Sequence, residues 1–239
     1  QAMDRALDGH KRDALALEGF NESYHVPATH PQLLEHMGDD TTRSVVLGKH
    51  GMYYYPVERR PLGAPAVRTN KAMPDDLRPG VVRHYNELNE TLRAMYSPRS
   101  VEAMHRLLTE LEPTNDPAVL YAKMDELQRE AALTSGAGWH SMTPEQRMRA
   151  GQEWHLFPNH VFLMLADASI AYRARPNGDD PDSCIFDIWS LLRYAPGAEP
   201  TLVREFIPDW TANTVADFGL ILSQDFNNFG RVQQGMKSS

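Results

Sequence analysis

Apolar positions along the chain change period several times, and the changes mark out the elements. Residues 12–25 place Ala14, Leu15, Leu17 and Phe20 at helical spacing, so this stretch reads as a helix. A second short helix is expected at about 29–38, carrying His30, Leu33 and Leu34. Residues 43–57 are rich in strand formers, from Val45, Val46 and Leu47 to Tyr53, Tyr54 and Tyr55, with Gly51 as the expected turn between two strands. Pro61, Pro65, Pro74 and Pro79 make residues 58–80 a long loop, a feature that in a compact domain suggests a cover over a site. Residues 81–135 return to helical spacing in about three pieces. Asp116-Pro117 forms an N-cap and first helical residue, followed by the apolar stripe Ala118, Leu120, Tyr121, Met124 and Leu127. Thr143-Pro144-Glu145 opens another short helix. Residues 153–194 shift to strand-length apolar runs, with Asn177-Gly178 as a hairpin signal between the last two. Residues 211–236 read as one long helix with Val215, Phe218, Leu222, Asp225 and Phe229 on one face. Helix, strands, helices, strands and a long last helix predict an α+β fold, an antiparallel sheet with helices packed against it.

Composition narrows the class. The chain has 239 residues, 41% hydrophobic and 23% charged, which suits one domain spanning 1–239 with a sizeable core. Its net charge is −8, from 24 basic and 32 acidic residues, which argues against nucleic acid or an anionic membrane as partner. No apolar run approaches a membrane span. Cys184 is the single cysteine, so no intrachain disulfide can form and a reducing cytoplasm is expected.

The candidate chemistry is concentrated in Glu22, His25 and His30. On an unbroken helix an i,i+5 pair points roughly 140° apart, too far for two rings to share one ion. Pro27 lies between the histidines and is expected to break the helix after His25, letting both rings turn to one centre. Glu22, three residues before His25, adds a carboxylate on the same face. Two imidazoles and a carboxylate are the donor set of non-heme Fe(II) oxygen chemistry. Far along the chain, Asp225 interrupts the apolar face of the last helix, where a bare carboxylate is costly unless paired or metal-bound. It is the best third ligand beside His25 and His30. The chain has ten histidines, so a chance pair and structural histidines are the ordinary alternative. His84, His105, His155 and His160 are read that way. Asp225 paired with an arginine, and Glu22 as a surface acid, are the corresponding plain readings.

The string E-x-F-x-E-x-Y-H-x-x-x-x-H-P, from Glu18 to Pro31, resembles the iron-binding segment of Rieske-type aromatic-ring-hydroxylating oxygenases, in the catalytic domain of their α (large) subunit. Phe157-Pro158-Asn159 resembles the family's central strands. Gln224-Asp225-Phe226-Asn227-Asn228, followed by Val232-Gln233-Gln234-Gly235-Met236-Lys237-Ser238, resembles its last helix. The three occur in the family's order over nearly the whole chain. Gly19 stands where many relatives have Asn beside the iron.

The resemblance implies a helix-grip fold, a mononuclear Fe(II) held by His25, His30 and Asp225, and hydroxylation of a hydrophobic, aromatic-type substrate with O₂. It implies electrons from NAD(P)H through a reductase, sometimes a ferredoxin, and a Rieske [2Fe-2S] cluster. A Rieske cluster needs two Cys and two His. One cysteine cannot supply them, so the cluster is expected on a separate N-terminal domain joined near residues 1–11 and reached in a neighbouring subunit of a homotrimer or α3β3 assembly. Glu22, where most relatives have Asp, would be the electron-transfer bridge to that cluster. Tyr24 would be a structural hydroxyl beneath the iron. Phe20, Phe218, Ile221 and Leu222 are expected to line an apolar substrate pocket, with Asn159 as a polar pocket or turn residue. Two other classes stay open: a helix-grip carrier of apolar ligands that needs no triad, and a zinc hydrolase using the same three ligands.

Overall fold

The computed structural model describes residues 17, 19–38, 42–56, 59–92, 95–180, 182–212 and 214–238. The expected lead-in at 1–11, and Ala14, Leu15 and Glu18 of the first expected helix, lie outside them. The architecture is α+β: a six-stranded sheet in the order β1-β2-β3-β4-β5-β6, every neighbour antiparallel.

The helix expected over 12–25 does not reach His25. The chain turns at Gly19-Phe20, and the next helix, α1, is only Val26–Thr29. Pro27 sits in its first turn, where a missing N–H costs nothing, so it starts this helix rather than breaking an earlier one. The second expected helix is a 3₁₀ turn, Pro31–Glu35.

Strands β1 (Arg43–Leu47) and β2 (His50–Tyr54) form a hairpin whose turn is at Gly48-Lys49 and not at Gly51. Gly48 has φ +64°, the backbone that a two-residue hairpin led by glycine requires, whereas Gly51 pairs with both Val46 and His155 inside the sheet. The 58–80 loop packs down on the start of α2 (Arg78–Thr91) and does not cover the site: Gly63 and Gly80 meet backbone to backbone, and Ala64 and Ala66 are fully buried. The helical layer continues with α3 (Pro98–His105), α4 (Leu107–Glu110), α5 (Pro117–Thr134) and α6 (Pro144–Ala150). In α5 the stripe Leu120, Met124 and Leu127 is buried, as the spacing predicts, while Tyr121 is turned outward and its hydroxyl accepts from Leu62 N–H. Ser97 and Ser100 donate to Asp167 at 2.6 and 3.0 Å, fastening α3 to the head of β5.

The second run of strands is β3 (Glu153–Leu156), β4 (His160–Met164), β5 (Ala168–Pro176) and β6 (Cys184–Leu192). Asn177-Gly178 opens a wider loop of residues 177–183 in place of a tight hairpin, closed by Ser183 donating to Asp180. Helix α7 (Thr214–Met236) is broken at Gly219 (φ +81°, ψ 169°), correcting the expectation of one continuous helix. A Cβ there would lie 2.1 Å from the Thr91 carbonyl oxygen, so the break lets α7 approach the end of α2. Val215, before the break, is exposed; Leu222 and Asp225, after it, are buried. Between α7 and the sheet lies an aromatic cluster in which Phe20 stacks on Tyr172 at 4.3 Å and meets Phe229 edge-on at 5.9 Å.

Candidate metal centre

His25 and His30 flank the single turn α1, one as its N-cap and the other as its C-cap. His30 leaves helical geometry (φ −125°, ψ 54°), and this brings the ring centroids to 5.4 Å, nearly perpendicular. A residue outside the helix at each end is therefore what converts an i,i+5 spacing into a pair. Asp225 arrives from α7, 4% exposed. His30 Nε2 lies 2.8 Å and His25 Nε2 3.8 Å from Asp225 Oδ1, and one ligand atom from each of the three residues falls within 4.8 Å of the others.

These distances fit an ion. Ligands held at about 2.1 Å from one centre are separated by roughly 3–3.5 Å, and the two observed separations bracket that range. The outward nitrogens are also fixed. Glu22 Oε1 lies 2.5 Å from His25 Nδ1, and Glu22 Oε2 accepts from the His25 backbone N–H at 3.1 Å. His30 Nδ1 donates to Gln224 Oε1 at 2.8 Å, and the same oxygen accepts from Gln32 Nε2 at 2.9 Å. Protons held on both Nδ1 atoms leave the Nε2 lone pairs for the centre. His30 bridges Gln224 and Asp225. Burial pulls its imidazole down, but the Asp225 carboxylate and Gln224 together hold it above its ordinary value. Asn228 donates to Thr29 Oγ1 at 2.6 Å and ties α7 to α1 beside the ligands.

A cleft of about 560 Å³ opens beside the triad, lined by Gly19, Asn21, Glu22, Tyr24, His25 and Thr29 on one side and by Asp225, Asn228, Phe229, Arg231 and Val232 of α7 on the other; neither Phe20 nor Ser23 reaches it. Glu22 and His25 stand in its wall. Tyr24 also lines it, with its side chain 81% exposed, so its hydroxyl is not packed beneath the ligands as the sequence suggests. Phe20, Ile221 and Leu222 are buried in the core, and Phe218 meets Phe226 edge-on at 5.2 Å. Asn159 donates to the Ala174 carbonyl at 2.8 Å and so ties the turn before β4 to β5. His84 is buried and bonded to His36 and Tyr96, and His105 bonds Asn86.

Sequence reasoning overlooked Gln224 and Glu153. Gln224 carried a signal, since it precedes Asp225 in the quoted string. Glu153 carried a weaker one: it begins a strand on the residue parity of His155 and faces the sheet's inner side, 2% exposed.

Among the described residues no helix is long and apolar enough to cross a membrane. Comparisons with curated proteins and with solved structures gave no match. The family described as ring hydroxylating alpha subunit (catalytic domain) matches residues 15–239, and it brings with it oxidoreductase chemistry and a mononuclear iron site. The motif order, the α+β sheet and the convergence of His25, His30 and Asp225 agree with that match, and the chain belongs to the ring-hydroxylating α-subunit catalytic-domain family.

Proposed function

We propose that this chain is a single catalytic domain of helix-grip type that holds one mononuclear Fe(II) through His25 Nε2, His30 Nε2 and Asp225. It hydroxylates a hydrophobic aromatic substrate in the cytoplasm. The observation that carries the reading is the geometry of three ligand atoms within 4.8 Å whose imidazoles are locked from behind by Glu22 and Gln224. When bound, the iron supplies the redox chemistry by which O₂ is reduced beside the substrate. The chain's own residues hold the ion, leave its remaining positions open, and keep water from one side of it. Phe20, Phe218, Ile221 and Leu222, which belong to or pack against the apolar core, are the proposed apolar side of the substrate pocket.

Electrons reach the site from NAD(P)H through a reductase, with or without a ferredoxin, and a Rieske cluster on a neighbouring subunit of a trimeric assembly. Glu22 is the bridge: its carboxylate holds His25 and stands in the wall of the open cleft. Purified chain loaded anaerobically with Fe(II) should bind one iron. His25→Ala, His30→Ala and Asp225→Ala should each abolish stoichiometric binding. Full iron occupancy in any two of these variants would show that the triad is misassigned. Zinc in place of iron would favour a hydrolase, and no metal at all an apolar-ligand carrier.

A further inference from the structure

Helix α2 supports both halves of the triad. His84, Glu87 and Thr91 share one of its faces, at spacings of three and four residues. The Thr91 end receives α7 at Gly219, six residues before Asp225. The His84 end receives His36, which caps the far end of the 3₁₀ turn that His30 begins. His36 Nδ1 lies 3.1 Å from His84 Nδ1, and His36 Nε2 lies 2.7 Å from a Glu87 carboxylate oxygen. His84 Nε2 lies 3.0 Å from the Tyr96 hydroxyl. His36 is 0% exposed and His84 3%. A carboxylate accepts, so His36 carries its proton on Nε2 and its Nδ1 accepts in turn. With both rings neutral, these three contacts then admit one arrangement. Tyr96 O–H donates to His84 Nε2, His84 Nδ1–H donates to His36 Nδ1, and His36 Nε2–H donates to Glu87.

A further proton has no place in this chain. On His36 Nδ1 it would meet the N–H of His84 head-on. On His84 Nε2 it would meet the Tyr96 O–H, which would have to turn out of its bond. We propose that Tyr96, His84, His36 and Glu87 form an acid-sensitive latch that holds the His30 segment on α2, closed with both rings neutral and opened by a proton on either. The inference rests on the function proposed above, because it takes His30 as a metal ligand. His36 touches neither ion nor substrate; it is a positioning residue that acts through His30. The backbone shows what the latch holds down: Gly63 N–H donates to the His36 carbonyl at 2.9 Å, and Ala66 N–H donates to the Leu34 carbonyl at 2.7 Å. The charged groups around the pair are Arg83 and Glu87 of α2, Glu35 of the 3₁₀ turn, itself paired with Lys71 at 2.5 Å, and Arg59 after β2. Tyr85 stacks on Tyr96 at 4.0 Å. Burial pulls both imidazoles below the ordinary histidine value; Glu87 offsets part of this at His36, while His36 and Arg59 deepen it at His84. The latch therefore contributes its full stability above the ordinary histidine value and loses it as pH falls through the lowered ones.

Histidine NMR, amide exchange and metal release on the intact chain test this, with Zn²⁺ as a redox-inert probe. At neutral pH His36 should carry its proton on Nε2 and His84 on Nδ1. On acidification both should leave these tautomers in one step, below the ordinary histidine value. In that step the protection of the Gly63 and Ala66 amides, corrected for intrinsic exchange, should fall about tenfold or more. Zinc loaded at one ion per chain should leave faster in the same step. Glu87→Gln keeps an acceptor for His36 but removes the charge that favours an imidazolium there. The step should then move roughly one pH unit toward acid. A merely structural Glu87 would leave the step in place or move it toward neutral pH, and either result would overturn the latch. Should Glu87→Gln fail to fold, the wild-type titration decides alone: other tautomers at neutral pH, or histidines that titrate without opening the two amides, would overturn the latch. Amides that open while zinc release keeps its pace would overturn its hold on the ligand. Failure of the wild type to bind zinc at neutral pH would instead overturn the metal-centre reading beneath it.

Discussion

At the scale of single residues, the groups behind the ligands set how well the site can work. Gln224 uses one oxygen to accept from both His30 and Gln32. Gln224→Leu leaves the three ligands in place but frees the His30 ring to rotate. Metal affinity should fall about 10- to 100-fold, read by competition against a metallochromic chelator. An affinity within twofold of wild type would show that Gln224 does not orient the ring.

His30 also sets a pH dependence. Its raised value means that the His30 ring keeps a proton to higher pH than an ordinary histidine, and an ion must displace that proton. Affinity should therefore be full above His30's raised value and weaken steadily as pH falls through it, with a proton released per ion bound. Metal-free stability runs the other way. The paired imidazolium stabilises the fold fully below the ordinary histidine value, and that contribution disappears as pH rises through the raised one. Calorimetric titration in buffers of different ionisation enthalpy counts the proton directly. Glu22→Gln keeps the length and a hydrogen bond to His25 but removes the charge. Iron binding should persist while oxidation of a reduced Rieske partner slows, as followed by rapid mixing, and an unchanged rate would leave Glu22 as a positioning residue only.

At the scale of elements, the two ends of the site were legible in the sequence to different degrees. The pairing of His25 with His30 could be foreseen from a proline between them, but the mechanism differs. Pro27 begins a one-turn helix whose two flanking residues are the ligands. Proline signals a helix boundary; whether it stops one helix or starts another depends on which side finds packing partners, and that is tertiary information. The same limit applies to Gly51 and Gly48. Both are turn-capable, and only the register against His155 on β3 decides between them.

The break in α7 was hidden for a related reason, since the cause of Gly219 lies on another helix, at Thr91. Gly219→Ala forces a side chain into positive φ and toward that carbonyl. Such a change should cost roughly 2 kcal/mol or more. For a chain of this size the thermal midpoint should fall by about 4–8 °C. A midpoint within a degree of wild type would mean that α7 tolerates a straight path past α2.

At the scale of the whole molecule, hydrophobic periodicity was enough to predict an α+β chain with an antiparallel sheet and helices packed against it, and the structure gives that sheet six strands. Periodicity says which face is inside but not what an inward polar group is for. Asp225 could be found because it interrupts a helical stripe within a known string. Glu153 could not, because strand parity in a four-residue strand is a weak signal. The cysteine count carries a molecular consequence of its own: with Cys184 alone, the chain should bind no [2Fe-2S] cluster when reconstituted with iron and sulfide. Steady turnover of this chain with NAD(P)H and a reductase, without a Rieske partner, would contradict the division of labour proposed here.

The central claim is that His25, His30 and Asp225 hold a single iron. The most direct test is anomalous scattering from crystals of the anaerobically iron-loaded chain, measured on both sides of the iron and zinc absorption edges. One peak per chain should appear above the iron edge, within bonding distance of His25 Nε2, His30 Nε2 and an Asp225 carboxylate oxygen. A peak that appears only above the zinc edge, or an iron peak bound away from these three side chains, would contradict it.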